Sequence, residues 1–306
     1  MCNKLGESDT GCRLCPRECG VNRDKTVGYC HVGSDPVIAR AALHFWEEPC
    51  ISGQNGSGAV FFAGCNMGCV FCQNADISTG AAGRIISGDR LCEIFFELQD
   101  AGANNINLVT GDMFLSVIRD SIIKAKSDGL RIPFILNTSS YIHEAELKKM
   151  EGLIDIYLAD LKYIRDEDAL RYSNARNYPR YAKIAIEEMV RQQPECKFDD
   201  NGIMQCGVII RHLLMPGMLI QAKMITEYLY DKYGDNIFIS LMNQYTPNGR
   251  LEAYPEINRA VSDREYRSLV RYAEGLGITN AYVQEGQTAD ACYIPAFDLT
   301  GVLNNE

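Results

Sequence analysis

Long apolar runs are missing from this chain of 306 residues. No stretch approaches the roughly 18 consecutive apolar residues that a membrane-spanning helix needs, so we expect no membrane attachment. The first ten residues are polar and contain no signal-peptide core, which predicts a cytoplasmic protein. Basic residues are also few, because 30 Lys and Arg stand against 40 Asp and Glu, for a net charge of -10. That balance argues against a nucleic-acid partner.

Cysteine, by contrast, is abundant, with 13 residues in the chain. In a reducing compartment, clustered cysteines are more often metal ligands or catalytic groups than disulfides. Seven of the 13 fall in two tight clusters near the N-terminus. The others are scattered, and most of them are predicted to be small buried apolar side chains: Cys2, Cys50, Cys92, Cys196, Cys206 and Cys292.

From residue 58 onward, short apolar strands alternate with amphipathic helices. The predicted strands are 59–63, 106–110, 134–136, 154–158, 208–214 and 237–242, with one more short strand at 281–283. Continuous apolar strands separated by helices imply a parallel sheet covered on both faces. About six such units are fewer than the eight of a closed barrel. We therefore expect an α/β protein with an open, partial parallel β/α barrel, the alternative being a doubly wound open sheet.

The N-terminal segment, residues 1–57, differs from the predicted barrel domain, residues 58–306. It is rich in Cys, Gly and Arg, and its one predicted regular element is a short strand at 37–41. Four of its cysteines have the spacing C-x2-C-x3-C-x10-C and are called here the N-terminal thiol set: Cys12, Cys15, Cys19 and Cys30. Four thiolates suit zinc or a second iron–sulfur cluster, and the sequence does not separate these from unliganded thiols.

Three more cysteines follow directly after the first predicted strand of the barrel domain. Cys65, Cys69 and Cys72, called here the cluster thiols, have the spacing C-x3-C-x2-C. Three thiolates in one short loop can hold a 4Fe–4S cluster and leave one iron open to a further ligand. A structural zinc site would need four closed ligands, and this loop contains no His and no fourth Cys. The spacing therefore predicts an iron–sulfur cluster with an open iron.

This spacing, with Phe71 before the last cysteine, resembles the signature of the radical SAM superfamily, whose members use S-adenosylmethionine (SAM). The likeness covers nearly the whole chain and is closest to an uncharacterised branch related to pyruvate formate-lyase activating enzymes. The segments that carry it are 47–74, 137–139, 157–163, 211–217 and 243–245. It implies an enzyme whose cluster cleaves SAM reductively to a 5′-deoxyadenosyl radical, which then abstracts hydrogen from a substrate.

The resemblance also implies SAM-binding residues at the carboxyl ends of the strands. Gly111 and Asp112 stand where many relatives have Gly-Gly-Glu, so Gly111 would allow close backbone approach. Asp112 could accept a hydrogen bond from the SAM amino group, it could cap the following helix, or it could do both. Asn137 and Thr138 resemble groups near a monovalent cation, although relatives often have Asp in place of Asn137.

Three further positions complete the predicted SAM site. Asp160 and Lys162 resemble an Asp-x-Lys that helps to hold the SAM carboxylate, partly through that cation. Arg211 could clamp the carboxylate or the ribose, or it could form a structural ion pair. The neighbouring His212 should face the opposite way and is expected to be a packed histidine. Residues 243–245 are further candidates for substrate or SAM contacts.

Three functions remain open from the sequence. The first is activation of a glycyl-radical enzyme, although residues 53–58 lack the proline and arginine that activating enzymes usually carry ahead of the first cysteine. The second is radical modification of another protein or a small molecule. The third is a non-catalytic iron–sulfur protein for electron transfer or redox sensing. The expected partners of the enzyme are SAM, a substrate of unknown identity, and an electron donor such as flavodoxin or ferredoxin.

Overall fold

The computed structural model describes residues 11–284 and 295–303. Its strands are β1 (Val37–His44), β2 (Ser57–Phe62), β3 (Arg84–Ile85), β4 (Ile106–Val109), β5 (Phe134–Thr138), β6 (Ile156–Asp160), β7 (Lys197–Phe198), β8 (Met204–Leu213), β9 (Phe238–Met242) and β10 (Ala281–Val283). Its helices are α1 (Pro49–Ser52), α2 (Ala75–Ser78), α3 (Gly88–Asp100), α4 (Leu115–Ser127), α5 (Glu144–Lys148), α6 (Asp166–Ser173), α7 (Tyr178–Gln192), α8 (Leu219–Tyr233) and α9 (Asp263–Gly275). Two 3₁₀ helices cover Gly111–Phe114 and Gly234–Asn236.

The strands form one sheet in the order β10-β9-β8-β6-β5-β4-β2-β1-β3, with β7 paired to β8 outside this path. The seven strands from β2 to β10 along the path are parallel to their neighbours. β1 runs antiparallel to β2, and β3 antiparallel to β1. Within the described residues the two ends of the path do not pair with each other. The predicted α/β fold with an open, partial parallel barrel is therefore confirmed.

The central strands are buried along their whole length because both of their faces are covered. Every residue of β2, β4 and β5 is buried. Helix α3 packs its apolar stripe onto this sheet, and Phe95 lies edge to face with Phe134 at 5.1 Å between ring centroids. Edge-to-face contact is a favoured geometry for aromatic pairs, so these rings help to fix α3 on β5.

The register of the sheet brings together the polar residues predicted at the strand ends. Val109 pairs with Asn137, Thr138 with Ala159, and Asp160 with Arg211. Because neighbouring parallel strands end at the same edge, these positions form one polar rim. Asn137 and Thr138 are the last residues of β5 rather than loop residues beyond it, so their side chains are fixed by the sheet.

The boundary predicted at residues 57 and 58 stays a prediction, and β1 pairs with β2 across it, from Ile38 opposite Phe62 to His44 opposite Ser57. Among the scattered cysteines, Cys50 and Cys92 are buried as expected, whereas Cys196 and Cys206 are partly exposed. Cys2 and Cys292 lie outside the described residues. No helix in the described part of the chain is both long enough and apolar enough to cross a membrane.

Candidate functional site

The cluster thiols lie in a loop, residues 63–72, that follows β2 and is called here the cluster loop. Gly64 and Gly68 in this loop have positive φ values of 86° and 73°. A Cβ on Gly64 would stand 2.7 Å from the carbonyl oxygen of Cys30, and a Cβ on Gly68 would stand 2.9 Å from the hydroxyl of Tyr29. Glycine is therefore needed at both positions for the backbone turn and for close contact with the N-terminal segment.

Each cluster thiol is partly buried, and the three lie close enough together to affect one another's ionisation. Burial, with the neighbouring Cys69 and Cys72, raises the pKa of Cys65 to about 12. Burial also raises the pKa of Cys69, and raises that of Cys72 to about 11, while the charge of Lys162 lowers both. Without a bound cation these groups are therefore neutral thiols at neutral pH.

The arrangement of the cluster thiols fits an iron–sulfur cluster better than a single ion. Anywhere in residues 11–284 and 295–303, no three His, Cys, Asp or Glu side chains are placed to hold one metal ion. These thiols are close enough to influence one another's pKa but are not placed to bind the same ion. That arrangement suits an iron–sulfur cluster, in which each cysteine binds a different iron. All three are free thiols with no disulfide partner.

Ser173 is a neighbour of the cluster thiols that the sequence did not reveal. Its hydroxyl lies 3.0 Å from the sulfur of Cys69, and the hydroxyl of Tyr163 lies 2.7 Å from Ser173 Oγ. Ser173 is the last residue of α6, 104 residues beyond Cys69, so only the tertiary fold joins them. Hydrogen bonds to a ligand sulfur tune the potential of an iron–sulfur cluster.

Asp112 is a buried carboxylate without a partner. Only 3% of its surface is exposed, and neither carboxylate oxygen accepts a hydrogen bond from the described residues. Burial, with a smaller contribution from the charge of Asp160, raises its pKa to about 7, although the nearby Thr138 and the backbone of Ser139 oppose that shift. Asp112 therefore caps no helix, which removes the alternative role. A cationic donor on a bound ligand would give this buried carboxylate the hydrogen-bond partner that it lacks.

Gly111 has a packing role that the sequence did not predict. It begins the 3₁₀ helix after β4, behind Thr110, which has a left-handed φ of 60°. A Cβ on Gly111 would come within 2.8 Å of Ile118 and within 3.4 Å of Phe62. The missing side chain therefore lets β4 pack closely on α4 and β2, and close approach to SAM stays a prediction.

Asp160, Lys162, Arg211 and Asn137 form one connected network at the polar rim. Lys162 Nζ lies 2.5 Å from Asp160 Oδ2, and Arg211 Nε lies 3.4 Å from Asp160 Oδ1. Burial alone would raise the pKa of Asp160, but Lys162 and Arg211 outweigh it and hold that pKa below its ordinary value. Arg211 also donates to Asn137 Oδ1 at 2.5 Å. The rim thus holds an ionised carboxylate, Asp160, that is already paired with two cations, Lys162 and Arg211.

Glu47 and Glu48 join this network from the other side and were not predicted as site residues. Glu47 Oε2 lies 3.0 Å from Arg211 Nη1, and Asn107 donates to Glu47 Oε1 at 2.9 Å. Glu48 is 8% exposed, and one of its oxygens has no partner among the described residues. Burial raises the pKa of Glu48, and Arg211 opposes that shift. Arg211 therefore has the structural ion pair that was one of its two predicted roles.

Tyr178 connects the residues that follow β5 and β6 by hydrogen bonds. Its hydroxyl accepts from the backbone N–H of Lys162 at 3.0 Å and can donate to the carbonyl of Ser139 at 2.9 Å. His212 is packed as predicted, with Nδ1 2.8 Å from the carbonyl oxygen of Leu161. Tyr245 is also buried, donates to the carbonyl of Ile257 and lies against Phe71, so its visible role is packing.

The N-terminal thiol set lies against the same site. All four of its cysteines line a small cavity whose wall also includes Arg17, Arg23 and Asp112. Burial raises the pKa of Cys15 to about 11 and raises that of Cys30. The fold therefore brings both predicted cysteine clusters to one end of the sheet.

Comparisons with known proteins agree with this geometry. A family model described as the radical SAM superfamily matches residues 59–218, slightly more than half of the chain. An uncharacterized protein of Methanocaldococcus jannaschii is 30% identical over 282 residues, which cover 89% of this chain and 76% of that protein.

Similar solved structures include SuiB of Streptococcus suis bound to precursor peptide SuiA, with 12% identity, a TM-score of 0.48, and coverage of 72% of this chain and 46% of that one. They also include the FeFe-hydrogenase maturase HydG of Carboxydothermus hydrogenoformans, with 14% identity, a TM-score of 0.47, and coverage of 76% and 58%. The chain spans about half the length of these two proteins. From the family model, the predicted superfamily is confirmed: this chain belongs to the radical SAM superfamily.

Proposed function

We propose that this protein uses a 4Fe–4S cluster, held by Cys65, Cys69 and Cys72, to cleave SAM and abstract hydrogen from a substrate. Superfamily membership implies an enzyme with both cofactors. When bound, the cluster and SAM supply one electron and a sulfonium whose cleavage gives methionine and a 5′-deoxyadenosyl radical. The proposal also places the protein in the cytoplasm, where reducing conditions keep such thiols free.

The observation that carries the proposal is that an unpartnered carboxylate, Asp112, and a cluster thiol, Cys69, both lie near Asp160. The charge of Asp160 raises the pKa of Cys69 and that of Asp112, so the Asp160–Lys162 pair stands near both groups. Asp112 would accept hydrogen bonds from the ammonium of SAM, and Lys162 would face its carboxylate. Asn137 and Thr138 border the same rim and would complete the binding site.

Charge balance also supports a cationic ligand. The site contains four carboxyl groups and two cations: Glu47, Glu48, Asp112, Asp160, Lys162 and Arg211. Burial raises the pKa values of Glu48 and Asp112 and so opposes their ionisation. SAM carries a sulfonium and an ammonium against a single carboxylate, so its binding would favour the ionised forms of these two groups. Because the site is largely buried, the attraction between these carboxylates and a cationic ligand is stronger than it would be in water.

A glycine residue of a partner glycyl-radical enzyme is the substrate that we propose. Its support is the resemblance to pyruvate formate-lyase activating enzymes across the motifs that build the cluster loop and the polar rim. Residues 53–58, without proline or arginine, stand against it. The electron would come from a small carrier such as flavodoxin or ferredoxin.

The first experiment measures 5′-deoxyadenosine from anaerobically reconstituted protein after reduction with dithionite in the presence of SAM. We expect product from the wild-type protein and none from Cys69→Ala, which should also lose the cluster absorbance because one of three ligands is gone. Cys206→Ala is the matched control, since this partly exposed cysteine lies on β8 away from the site. Full cleavage activity in Cys69→Ala would refute the cluster assignment.

The second experiment addresses the substrate. Candidate glycyl-radical enzymes are incubated with the reduced protein and SAM, and EPR spectra are recorded for a glycine-centred doublet. A doublet that requires SAM supports an activating enzyme. Formation of 5′-deoxyadenosine without a doublet on any candidate points to another protein or a small molecule as substrate. Absence of 5′-deoxyadenosine altogether favours an electron-transfer or sensing protein.

A further inference from the structure

We propose that the N-terminal thiol set binds a metal centre through four thiolates, and that this centre holds the N-terminal segment against the cluster loop and Asp112. The proposal goes beyond the function proposed above, which uses the cluster thiols alone. Four thiolates bind either a single zinc ion or an iron–sulfur cluster, and the shared requirement is a soft metal. Within the described residues these sulfurs, like the cluster thiols, are not placed to hold one metal ion, so a single zinc ion would have to draw them together on binding.

The backbone around the N-terminal thiol set is shaped to bring the sulfurs together. Cys12 N–H donates to the carbonyl of Val21 at 2.8 Å, and Gly20 N–H donates back to the carbonyl of Cys12 at 3.0 Å. A Cβ on Gly28 would lie 3.4 Å from the sulfur of Cys19 and 3.6 Å from that of Cys30. The sulfurs of Cys19 and Cys30 therefore lie within contact distance of one point beside Gly28, and all four cysteines line one cavity.

The segment has little else to hold its shape. Residues 11–36 contain neither helix nor strand, and their irregular backbone is not folded around an apolar core of its own. Cys30 and Val32 are its buried hydrophobic residues. Metal binding commonly supplies the folding free energy of such short irregular segments. A metal would therefore add stability to a stretch that is otherwise held by hydrogen bonds.

The charges lining the cavity suit a negatively charged centre. Four thiolates on one zinc ion, or on a 4Fe–4S cluster, leave net negative charge. The cavity is lined by two guanidinium groups, those of Arg17 and Arg23, and by one carboxylate, that of Asp112. The cations therefore outnumber the carboxylates around the four sulfurs.

Arg17 connects the proposed centre to the cluster loop. It lies between Cys15 and Cys19 in the sequence, and its guanidinium donates to the carbonyls of Asn66 at 2.7 Å and Met67 at 2.8 Å. The same group donates to the carbonyl of Ser173 at 3.2 Å. A metal that fixes the turn from Cys15 to Cys19 therefore also fixes the donor that holds the cluster loop.

Arg23 makes the corresponding connection to the SAM site. Its guanidinium donates to the carbonyl of Met113 at 2.6 Å and to that of Gly33. Met113 follows Asp112, the carboxylate proposed to receive the SAM ammonium. A metal that orders residues 11–36 should therefore also help to fix the positions of Met113, beside the proposed SAM site, and of the cluster loop.

The test removes the first cluster and asks whether metal remains. The full-length variant Cys65→Ala/Cys69→Ala/Cys72→Ala is prepared without oxygen, and zinc, iron and sulfide are measured per chain. We expect about one zinc ion or about four irons with matching sulfide to remain. Adding Cys12→Ser and Cys19→Ser should remove that metal, whereas adding Cys206→Ser should not. A folded triple variant with neither zinc nor iron overturns the proposal.

The wild-type protein provides a second measurement that does not depend on the folding of any variant. We expect metal beyond one cluster, either about eight irons or about four irons with one zinc ion. Four irons alone, without zinc, would contradict the proposal even if every variant aggregated. Neither measurement depends on SAM cleavage, so failure of this proposal can be told apart from failure of the proposed function.

Discussion

Ser173 Oγ lies 3.0 Å from Cys69 Sγ and is itself contacted by the hydroxyl of Tyr163. A hydroxyl that donates to a ligand sulfur stabilises the more negative, reduced state of a cluster. Ser173→Ala should therefore lower the midpoint potential by about 20–60 mV, which corresponds to one hydrogen bond for a one-electron couple. The measurement is an EPR-monitored redox titration.

Two further variants test whether a change in potential comes from the hydrogen bond of Ser173 to Cys69. Ser127→Ala removes an exposed serine at the end of α4 and should leave the potential unchanged. Tyr163→Phe should shift the potential in the same direction as Ser173→Ala but by less, because it removes only the group behind the donor. An unchanged potential in Ser173→Ala would show that the contact does not reach the cluster.

Asp112→Asn keeps the shape of the side chain and removes its charge. Because a hydrogen bond to a charged group contributes about 1.5–3 kcal/mol, SAM affinity should fall about 10- to 100-fold. The cluster absorbance should not change, since Asp112 is not one of the proposed ligands. Without SAM, the free energy of unfolding should stay the same or rise, because an unpartnered buried carboxylate is removed. Equilibrium dialysis with SAM and denaturant titration measure the two effects, and unchanged SAM affinity would contradict the assignment.

The two predicted roles of Arg211 can be separated by its pairing with Glu47. These side chains are 12% and 9% exposed and 3.0 Å apart, so removing one leaves the other buried and unpaired. Arg211→Met should lower the free energy of unfolding by about 3–5 kcal/mol, and Glu47→Gln/Arg211→Met should recover much of that loss. Denaturant titrations with and without SAM provide the measurement. A stable single variant that has lost SAM affinity would instead indicate a SAM clamp.

His212 should make stability depend on pH. Burial lowers its pKa from 6.5 to about 4, so the folded state holds the ring neutral where the unfolded chain would bind a proton. The stability from this neutral ring is fully present above pH 6.5 and is lost as pH falls toward 4. Between about pH 7 and about pH 5 we expect a loss of about 2 kcal/mol.

Denaturant titrations at the two pH values test this prediction. His212→Asn serves as the comparison, because its amide can still donate to the carbonyl of Leu161 but does not titrate. The variant should lose about 2 kcal/mol less stability than the wild-type protein over the same interval. Equal losses would assign the pH dependence to other groups.

The fold and the polar rim could be predicted because they follow from local patterns. Apolar runs between amphipathic helices gave the parallel strands, and the strand ends located Asp160 and Lys162. The sequence could not reveal Glu47, whose partner Arg211 is 164 residues away and is reached only through the packed barrel. It could not reveal the position of Ser173 beside Cys69 for the same reason. Capping was a reasonable local role for Asp112, but its carboxylate accepts no hydrogen bond from any helix N–H of the described residues.

The antiparallel strand β1 also has a consequence for the order of folding. Its residue Ala41 donates to the carbonyl of Thr300 at 2.9 Å, and Arg40 pairs with Asp298, which is 258 residues further along the chain. Contacts between such distant residues are slow to form, because a long loop must close first. During synthesis β1 therefore leaves the ribosome long before the segment that completes its edge, and fragments ending before residue 298 should expose that edge to aggregation.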